Sequence, residues 1–150
     1  PTAVDVIDEV PEVAEGTTRS ATVQVRVNQV RFRRAILASY DSACCITGLR
    51  HDKLVIASHI VPWSMDKKNR LNPQNGLCLS ALHDKAYDQG LITVLPDYTI
   101  RVAPTMRDVA HNEFMTTALL AYDGKQIRLP ERFRPAPEFL QAHATRFGFV

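Results

Sequence analysis

The segment at residues 54–90 constrains the fold more than any other part of the chain. It reads LVIASHIVPWSMDKKNRLNPQNGLCLSALHDKAYDQG and starts with a short apolar run that ends at His59. A long polar interval leads through Asn75 and Gly76 into a second apolar run, and the residues after that run have helical spacing and include His83. This order predicts two strands joined by a loop and followed by a helix. It places His59 at a strand end, Asn75 at a turn and His83 on the inward face of the helix.

This order of elements resembles the HNH endonuclease family, in which two strands and a helix form a small finger around one metal ion. The segments SHIVPW, NRLNPQNGLCLSALHDKAYDQGLI and CCITGL resemble the restriction-type branch of that family, and the similarity runs from about residue 26 to residue 147. The resemblance implies an α+β fold. A ββα-metal (HNH) finger would be embedded in a small single domain with flanking helices and a β-hairpin.

Length and charge divide the chain into two parts. One hundred and fifty residues with 45% hydrophobic and 23% charged side chains suit one globular domain. Residues 1–18 contain five of the 16 acids and no Lys or Arg, so the remainder has 18 basic and 11 acidic residues. We therefore predict an acidic N-terminal arm or linker at 1–18 and an HNH nuclease domain at 19–150. The basic surplus of the domain suits a polyanionic partner such as DNA.

Composition also bears on where the protein works. No apolar run approaches the roughly 20 residues needed to cross a bilayer, and no secretory signal is present. Cys44, Cys45 and Cys78 make an odd count with two adjacent members, which indicates a reducing compartment, the cytoplasm. No paired C-x-x-C segment is present, so a structural zinc is not expected. The chain begins with proline, which indicates a processed or excised piece of a longer protein.

Hydrophobic periodicity predicts the elements outside the finger. The first helix is expected to pack Val27, Val30 and Ile36 against the domain, and the polar loop at 64–74 is expected to be mobile. The predicted elements are a helix at about 24–40, a strand at 44–47, strands at 91–94 and 99–102 that form a hairpin, a helical stretch at 106–122 and a last helix that Pro137 opens.

His59 is the predicted general base. Phosphodiester hydrolysis needs an activated water, and a neutral imidazole is well matched to taking a proton from water near pH 7. In the resembled family the histidine that ends the first strand has this role. The alternative is a histidine that is merely satisfied at a strand end by a backbone carbonyl.

The resemblance implies that His83 is a ligand to one divalent ion, and the alternative is a polar group that borders the core. Many HNH proteins place an aspartate ligand directly before the first histidine, whereas this chain has Ser58, a poorer and uncharged ligand. Asp84 and Asp88 are the nearest acids in sequence that could complete the site. We expect the ion to be Mg2+ or Mn2+, with Ni2+ or Zn2+ as alternatives.

Two further roles are assigned to polar side chains of the finger. Asn75 corresponds to the family asparagine and is expected to tie the loop that carries the base to the second strand, because an amide both donates and accepts hydrogen bonds. Basic residues of the loop and of the first helix are expected to contact the DNA backbone, although a solvated face is an equally good interpretation for those of the helix. They are Lys67, Lys68, Arg70, Arg31 and Arg34.

These expectations describe a metal-dependent HNH DNA endonuclease that acts in restriction or phage defence. Its partners would be double-stranded DNA, a second copy of the chain in a homodimer, and a fused or separate sensor domain, with no membrane. The principal alternative is a non-catalytic DNA-binding module with a degenerate HNH metal site. A weaker alternative is an interaction domain without a nucleic-acid role.

Overall fold

A computed structural model of the chain describes residues 15–150, with side chains from residue 19 onwards. Residues 1–14, most of the predicted acidic arm, lie outside the described residues. The described part mixes helices and short strands, so the predicted α+β class is confirmed. In chain order its elements are α1 Glu15–Tyr40, β1 Val55–His59, β2 Gly76–Ser80, α2 Ala81–Asp88, β3 Ile92–Val94, β4 Ile100–Val102, α3 Glu113–Ala118 and α4 Pro137–Arg146.

The predicted finger is formed by β1, β2 and α2. The two strands pair antiparallel, from Val55 opposite Ser80 to His59 opposite Gly76. α2 follows β2 without a loop, because the Ser80 hydroxyl caps the helix by accepting a hydrogen bond from the backbone N–H of His83 at 3.2 Å. Contacts with both strands hold α2 on the hairpin.

The long helix α1 packs across the same hairpin. Its buried face consists of Val25, Phe32, Ile36 and Tyr40, whereas Val27 and Val30, which the sequence pattern placed on that face, are exposed. Arg33 fixes the helix to the start of β1, because its guanidinium donates hydrogen bonds to the carbonyls of Val55 at 2.8 Å and Asp52 at 2.6 Å.

A second hairpin and the last helix close the core. β3 and β4 pair antiparallel, from Ile92 opposite Val102 to Val94 opposite Ile100. The ring of His143 in α4 stacks on Tyr87 at 3.7 Å between centroids, and its Nε2 donates to the Tyr87 carbonyl at 3.0 Å. Its Nδ1 lies 2.8 Å from the Thr93 hydroxyl. Burial lowers the pKa of His143 to about 4, so this ring joins α2, β3 and α4 as a neutral group.

Two predictions of secondary structure were wrong. Residues 44–47 form a turn, in which the Gly48 N–H donates to the Cys44 carbonyl at 2.8 Å, and not a strand. The stretch at 106–122 is mostly helical, as predicted, but it consists of separate pieces, and the Asn112 side chain caps α3 by accepting from the Met115 N–H at 3.0 Å. The start predicted for the first helix was the second error. The first helix begins at Glu15, well before the predicted start.

The loop between β1 and β2 is built from side-chain hydrogen bonds. It contains 3₁₀ turns at Lys67–Asn69 and Pro73–Asn75. The Asn69 amide donates to the Asp66 carboxylate at 2.6 Å, and the Asn72 amide donates to the Asn69 side-chain oxygen at 3.0 Å. These local bonds give the loop a defined backbone path.

Two predictions about the chain's environment can be compared with the structure. All three cysteines are buried and free, and burial raises the pKa of the Cys78 thiol to about 12. In the described part of the chain, no helix has the length and apolar character that spanning a bilayer requires.

An Asn-Gly pair usually indicates a tight turn, but Gly76 is required here for a different reason. It is the first residue of β2 and has an extended backbone, with φ at −144° and ψ at 151°. A Cβ there would overlap the Ile36 Cδ1 atom and lie 2.7 Å from Phe32 Cζ. Glycine is therefore required because α1 approaches the hairpin closely at this point.

Gly76→Ala should destabilise the fold by about 1–3 kcal/mol, because a methyl group must be forced into a filled space. Urea unfolding measures the loss. Ile36→Val removes the atom that the new methyl group overlaps, so this change should cost less in the Gly76→Ala chain than in the wild-type chain. An equal cost of Ile36→Val in both backgrounds would contradict the close approach.

Candidate active site

The ring of His59 is held between α1 and the β1–β2 loop. It stacks on Phe32 with a centroid distance of 3.8 Å and an interplanar angle of 7°. Its Nε2 lies 2.9 Å from the backbone carbonyl oxygen of Arg70. Because a carbonyl oxygen only accepts, we assign the proton to Nε2, which leaves a lone pair on Nδ1 in the neutral ring.

The surroundings of His59 favour this neutral form. Its side chain is 5% exposed, and burial lowers its pKa to about 4, with the bond to the Arg70 carbonyl acting in the opposite direction. Among the described residues, no hydrogen-bond partner faces the buried Nδ1 atom. At pH 7, His59 is thus a neutral, oriented imidazole with a buried acceptor lone pair on Nδ1.

Asn75 holds the loop that carries the Arg70 carbonyl. Its side chain is fully buried, and its Oδ1 accepts from the Val61 N–H at 2.8 Å. Its Nδ2 donates to the carbonyls of Val61 at 3.0 Å and Asn69 at 3.3 Å. One amide therefore fastens the start and the middle of the loop to the residue that precedes β2.

The loop presents a basic surface beside His59. Lys67 and Lys68 are exposed, whereas Arg70 is partly buried and its guanidinium lies 3.5 Å over the Trp63 ring. Desolvation lowers the pKa of Arg70. The residue expected to grip phosphate thus has two contacts that shape the loop, its carbonyl on His59 and its guanidinium on Trp63.

Both ring nitrogens of His83 have partners. Its Nε2 donates to the Ala118 carbonyl at 2.7 Å, and its Nδ1 lies 2.6 Å from the Ser80 hydroxyl. The carbonyl fixes the proton on Nε2, so the Ser80 hydroxyl donates to Nδ1 while its oxygen accepts from the His83 N–H. Burial lowers the pKa of His83, and its neutral ring joins the start of α2 to the end of α3.

The structure does not bring His59 and His83 together. His59 is paired with Gly76 at one end of the hairpin, whereas His83 is bonded to Ser80, which is paired with Val55 at the other end. Four residues of strand separate these ends, about 13 Å at the rise of a β-strand. The two rings therefore make their described contacts with different elements.

The predicted metal ligands do not fit a divalent ion as they are arranged. The only acceptor lone pair of the His83 ring is engaged by Ser80. Strand alternation directs Ser58 to the face of the hairpin opposite to His59, where its buried hydroxyl has no hydrogen-bond partner among the described residues. Over residues 15–150, no three or more His, Cys, Asp or Glu side chains are grouped so that they could hold a metal.

Comparison with known families agrees with the finger geometry. Residues 44–95 match the family model described as HNH endonuclease. This match supports assigning residues 44–95 to the HNH endonuclease family. The matched range includes both finger strands, the loop between them and α2. HNH nucleases generally use a divalent metal ion, and a nuclease domain of this kind implies a DNA substrate. A search of curated proteins found no significant match to the chain.

Sequence reasoning missed three groups that position His59 or the elements around it. Phe32 stacks on the His59 ring, Arg33 anchors α1 to β1, and the Arg70 carbonyl accepts from Nε2. The spacing of Phe32 with Ile36 and Tyr40 is a helical signal that could have identified the first of these. No sequence signal marks a backbone carbonyl as an acceptor, because every residue has one.

Asn75→Ala should destabilise the domain by about 3 kcal/mol, because it leaves the Val61 N–H and two loop carbonyls unsatisfied where the amide was buried. Chemical unfolding measures this loss. Asn28→Ala is the matched control, because the side chain of Asn28 makes an exposed bond with Gln24, and its loss should change stability little. Similar losses for the two variants would contradict the role of Asn75 in fastening the loop.

Proposed function

We propose that this chain is an HNH endonuclease that hydrolyses phosphodiester bonds of DNA, with His59 as the general base. The observation that carries the proposal is the state of the His59 ring. Its Nε2 proton is held by the Arg70 carbonyl and its Nδ1 lone pair is free of protein partners among the described residues. A domain of the HNH family supplies the context in which a base at this position acts on water.

The proposed reaction requires a water to reach Nδ1 of His59, which is buried in the structure, so the residues around that atom would have to open when DNA binds. The water gives its proton to Nδ1 as its oxygen attacks phosphorus. The bond from phosphorus to the departing oxygen breaks, and that oxygen leaves with the bonding electrons and takes a proton from solvent. The imidazolium that forms keeps its Nε2–H bond to the Arg70 carbonyl, whose negative end stabilises the positive ring. Holding the ring in one orientation aligns the lone pair before the substrate arrives.

The low pKa of His59 makes it a weaker base. A base with a pKa of about 4 is fully neutral at pH 7, yet it accepts a proton from water less readily than one with a pKa near 7. A DNA phosphate beside the ring would favour the imidazolium and raise that pKa. We therefore propose that substrate binding itself increases the basicity of His59.

Basic residues on two elements are proposed to position the DNA. Lys67 and Lys68 are exposed on the loop beside His59, and Arg31 and Arg34 are exposed on α1. Each can contact phosphate without losing a side-chain hydrogen bond to any residue that the structure describes. Arg70 is proposed to contact phosphate with its terminal guanidinium nitrogens, because its Nε is buried.

The finer parts of the proposal concern the ion and the biological setting. We propose Mg2+ or Mn2+ as the ion and a restriction or phage-defence role in the cytoplasm, with double-stranded DNA as substrate. A homodimer and a sensor domain, fused or separate, belong to the same proposal, as does the nuclease domain boundary at residue 19. Metal binding by Nε2 of His83 would require its bond to the Ala118 carbonyl to open.

A second candidate function is a non-catalytic DNA-binding module. The observation that favours it is the engagement of both His83 nitrogens together with the absence of a carboxylate at Ser58. Such a module would retain the basic loop and helix and bind DNA without cleaving it.

His59→Ala should reduce nicking of supercoiled plasmid by about 100-fold or more, because loss of a general base typically costs 10²–10⁴ in rate. The assay contains Mg2+ or Mn2+ in separate reactions, and a DNA-binding measurement confirms that the variant still binds. His111→Ala is the matched control, because that histidine is exposed, and it should cut like the wild type.

Two outcomes would contradict the nuclease proposal. If His59→Ala cuts like the wild type, the base is a different residue. If wild type and variant both bind DNA and neither cuts it with Mg2+ or with Mn2+, the non-catalytic module is the correct function.

A further inference from the structure

The outward face of α1 carries an exposed apolar row. Val23, Val27 and Val30 follow one another at spacings of four and three residues, so they share one side of the helix. Their side chains are 60%, 38% and 49% exposed. The buried face of the same helix, with Phe32 and Ile36, points the opposite way, toward the hairpin. The valine row is thus left uncovered by the described part of the chain.

The same outward face is strongly basic. At 100° per residue, Arg26, Arg31 and Arg34 fall within about 80° of Val23, so they flank and continue the valine row. None of the three has an ion-pair partner among the described residues. From residue 16 to the end of α1 the sequence contains five arginines and no acid. The face therefore fits a partner that is both acidic and apolar.

We propose that the acidic arm at residues 1–14 of the same chain docks on this face of α1. The arm has the complementary composition, because its charged residues are all acidic and alternate with branched apolar residues. The acids are Asp5, Asp8, Glu9 and Glu12, and the apolar residues are Val4, Val6, Ile7, Val10 and Val13.

The chain geometry allows the arm to reach this face. The arm joins α1 at Glu15, and Val23 and Val30 lie about 12 and 22 Å along the helix from that point. Fourteen residues can extend to about 46 Å, which is enough to turn back and follow the valine row. A tether this short gives the arm an effective concentration on the order of millimolar, so its own helix is favoured over a second copy of the chain.

The residues of the outward face of α1 favour the acidic arm over DNA as the group that covers it. Phosphates would match the arginines but would leave the three exposed valines uncovered, whereas the arm can cover both. The arm would then occupy Arg31 and Arg34, which the proposed function assigns to DNA. This consequence for DNA binding rests on the proposed function, but the docking of the arm does not.

Paramagnetic broadening tests the docking in the full chain. A nitroxide is attached to Ala3→Cys, because the three native cysteines are buried, and amide signals are recorded on ¹⁵N-labelled protein at low salt. Signals of residues 23–34 should lose more than half of their intensity. They should recover at 1 M NaCl, where charge attraction is screened. They should also recover in a matched variant with Asp5→Asn, Asp8→Asn, Glu9→Gln and Glu12→Gln. No loss of intensity at low salt would overturn the proposal.

A mixing experiment distinguishes docking within one chain from docking between two copies of the chain. In this experiment, ¹⁴N protein that carries the nitroxide is added to ¹⁵N protein that carries none. The amide signals of residues 23–34 should keep their intensity. Broadening in the mixture equal to that in the labelled chain would overturn docking within one chain. Binding of a DNA duplex, measured separately, should become several-fold tighter in the arm-neutralised variant. If neither protein binds DNA, the proposed function fails while the broadening result still decides the docking.

Discussion

The buried amide of Asn75 is the contact on which the candidate active site depends. It joins the start and the middle of a long polar loop to the residue that precedes β2 through three hydrogen bonds. Only with the loop folded back in this way does the Arg70 carbonyl lie against His59. The chemistry of the imidazole is therefore determined by a residue that needs no contact with substrate, because loop geometry sets which ring nitrogen carries the proton.

Three buried histidines of the domain show how similar burial can serve different ends. His59, His83 and His143 each donate Nε2–H to a backbone carbonyl, and burial lowers the pKa of each ring. In His83 and His143 a hydroxyl also faces Nδ1, so both rings are fully satisfied and act as links between elements. In His59 the Nδ1 lone pair has no such partner in the described part of the chain. That difference separates a candidate base from two structural residues.

Sequence patterns predicted the local parts of this fold well. The finger strands and the helix that carries His83 follow from short-range periodicity. The errors concern packing between distant elements. The valines of α1 could not be assigned to the core or to the surface before the position of the hairpin was known. Likewise, the partner of His83 is the Ala118 carbonyl, 35 residues away in sequence, which no local pattern identifies.

The state of the His59 ring can be measured directly by long-range ¹H–¹⁵N NMR of the histidine side chains across a pH titration. At pH 7 the account predicts that Nε2 of His59 carries the proton, that Nδ1 is unprotonated, and that the ring titrates with a pKa of about 4. The measurement is made on the protein without DNA, where burial alone sets the value. A proton on Nδ1 at pH 7, or a pKa at or above the 6.5 of an unperturbed histidine, would contradict the account.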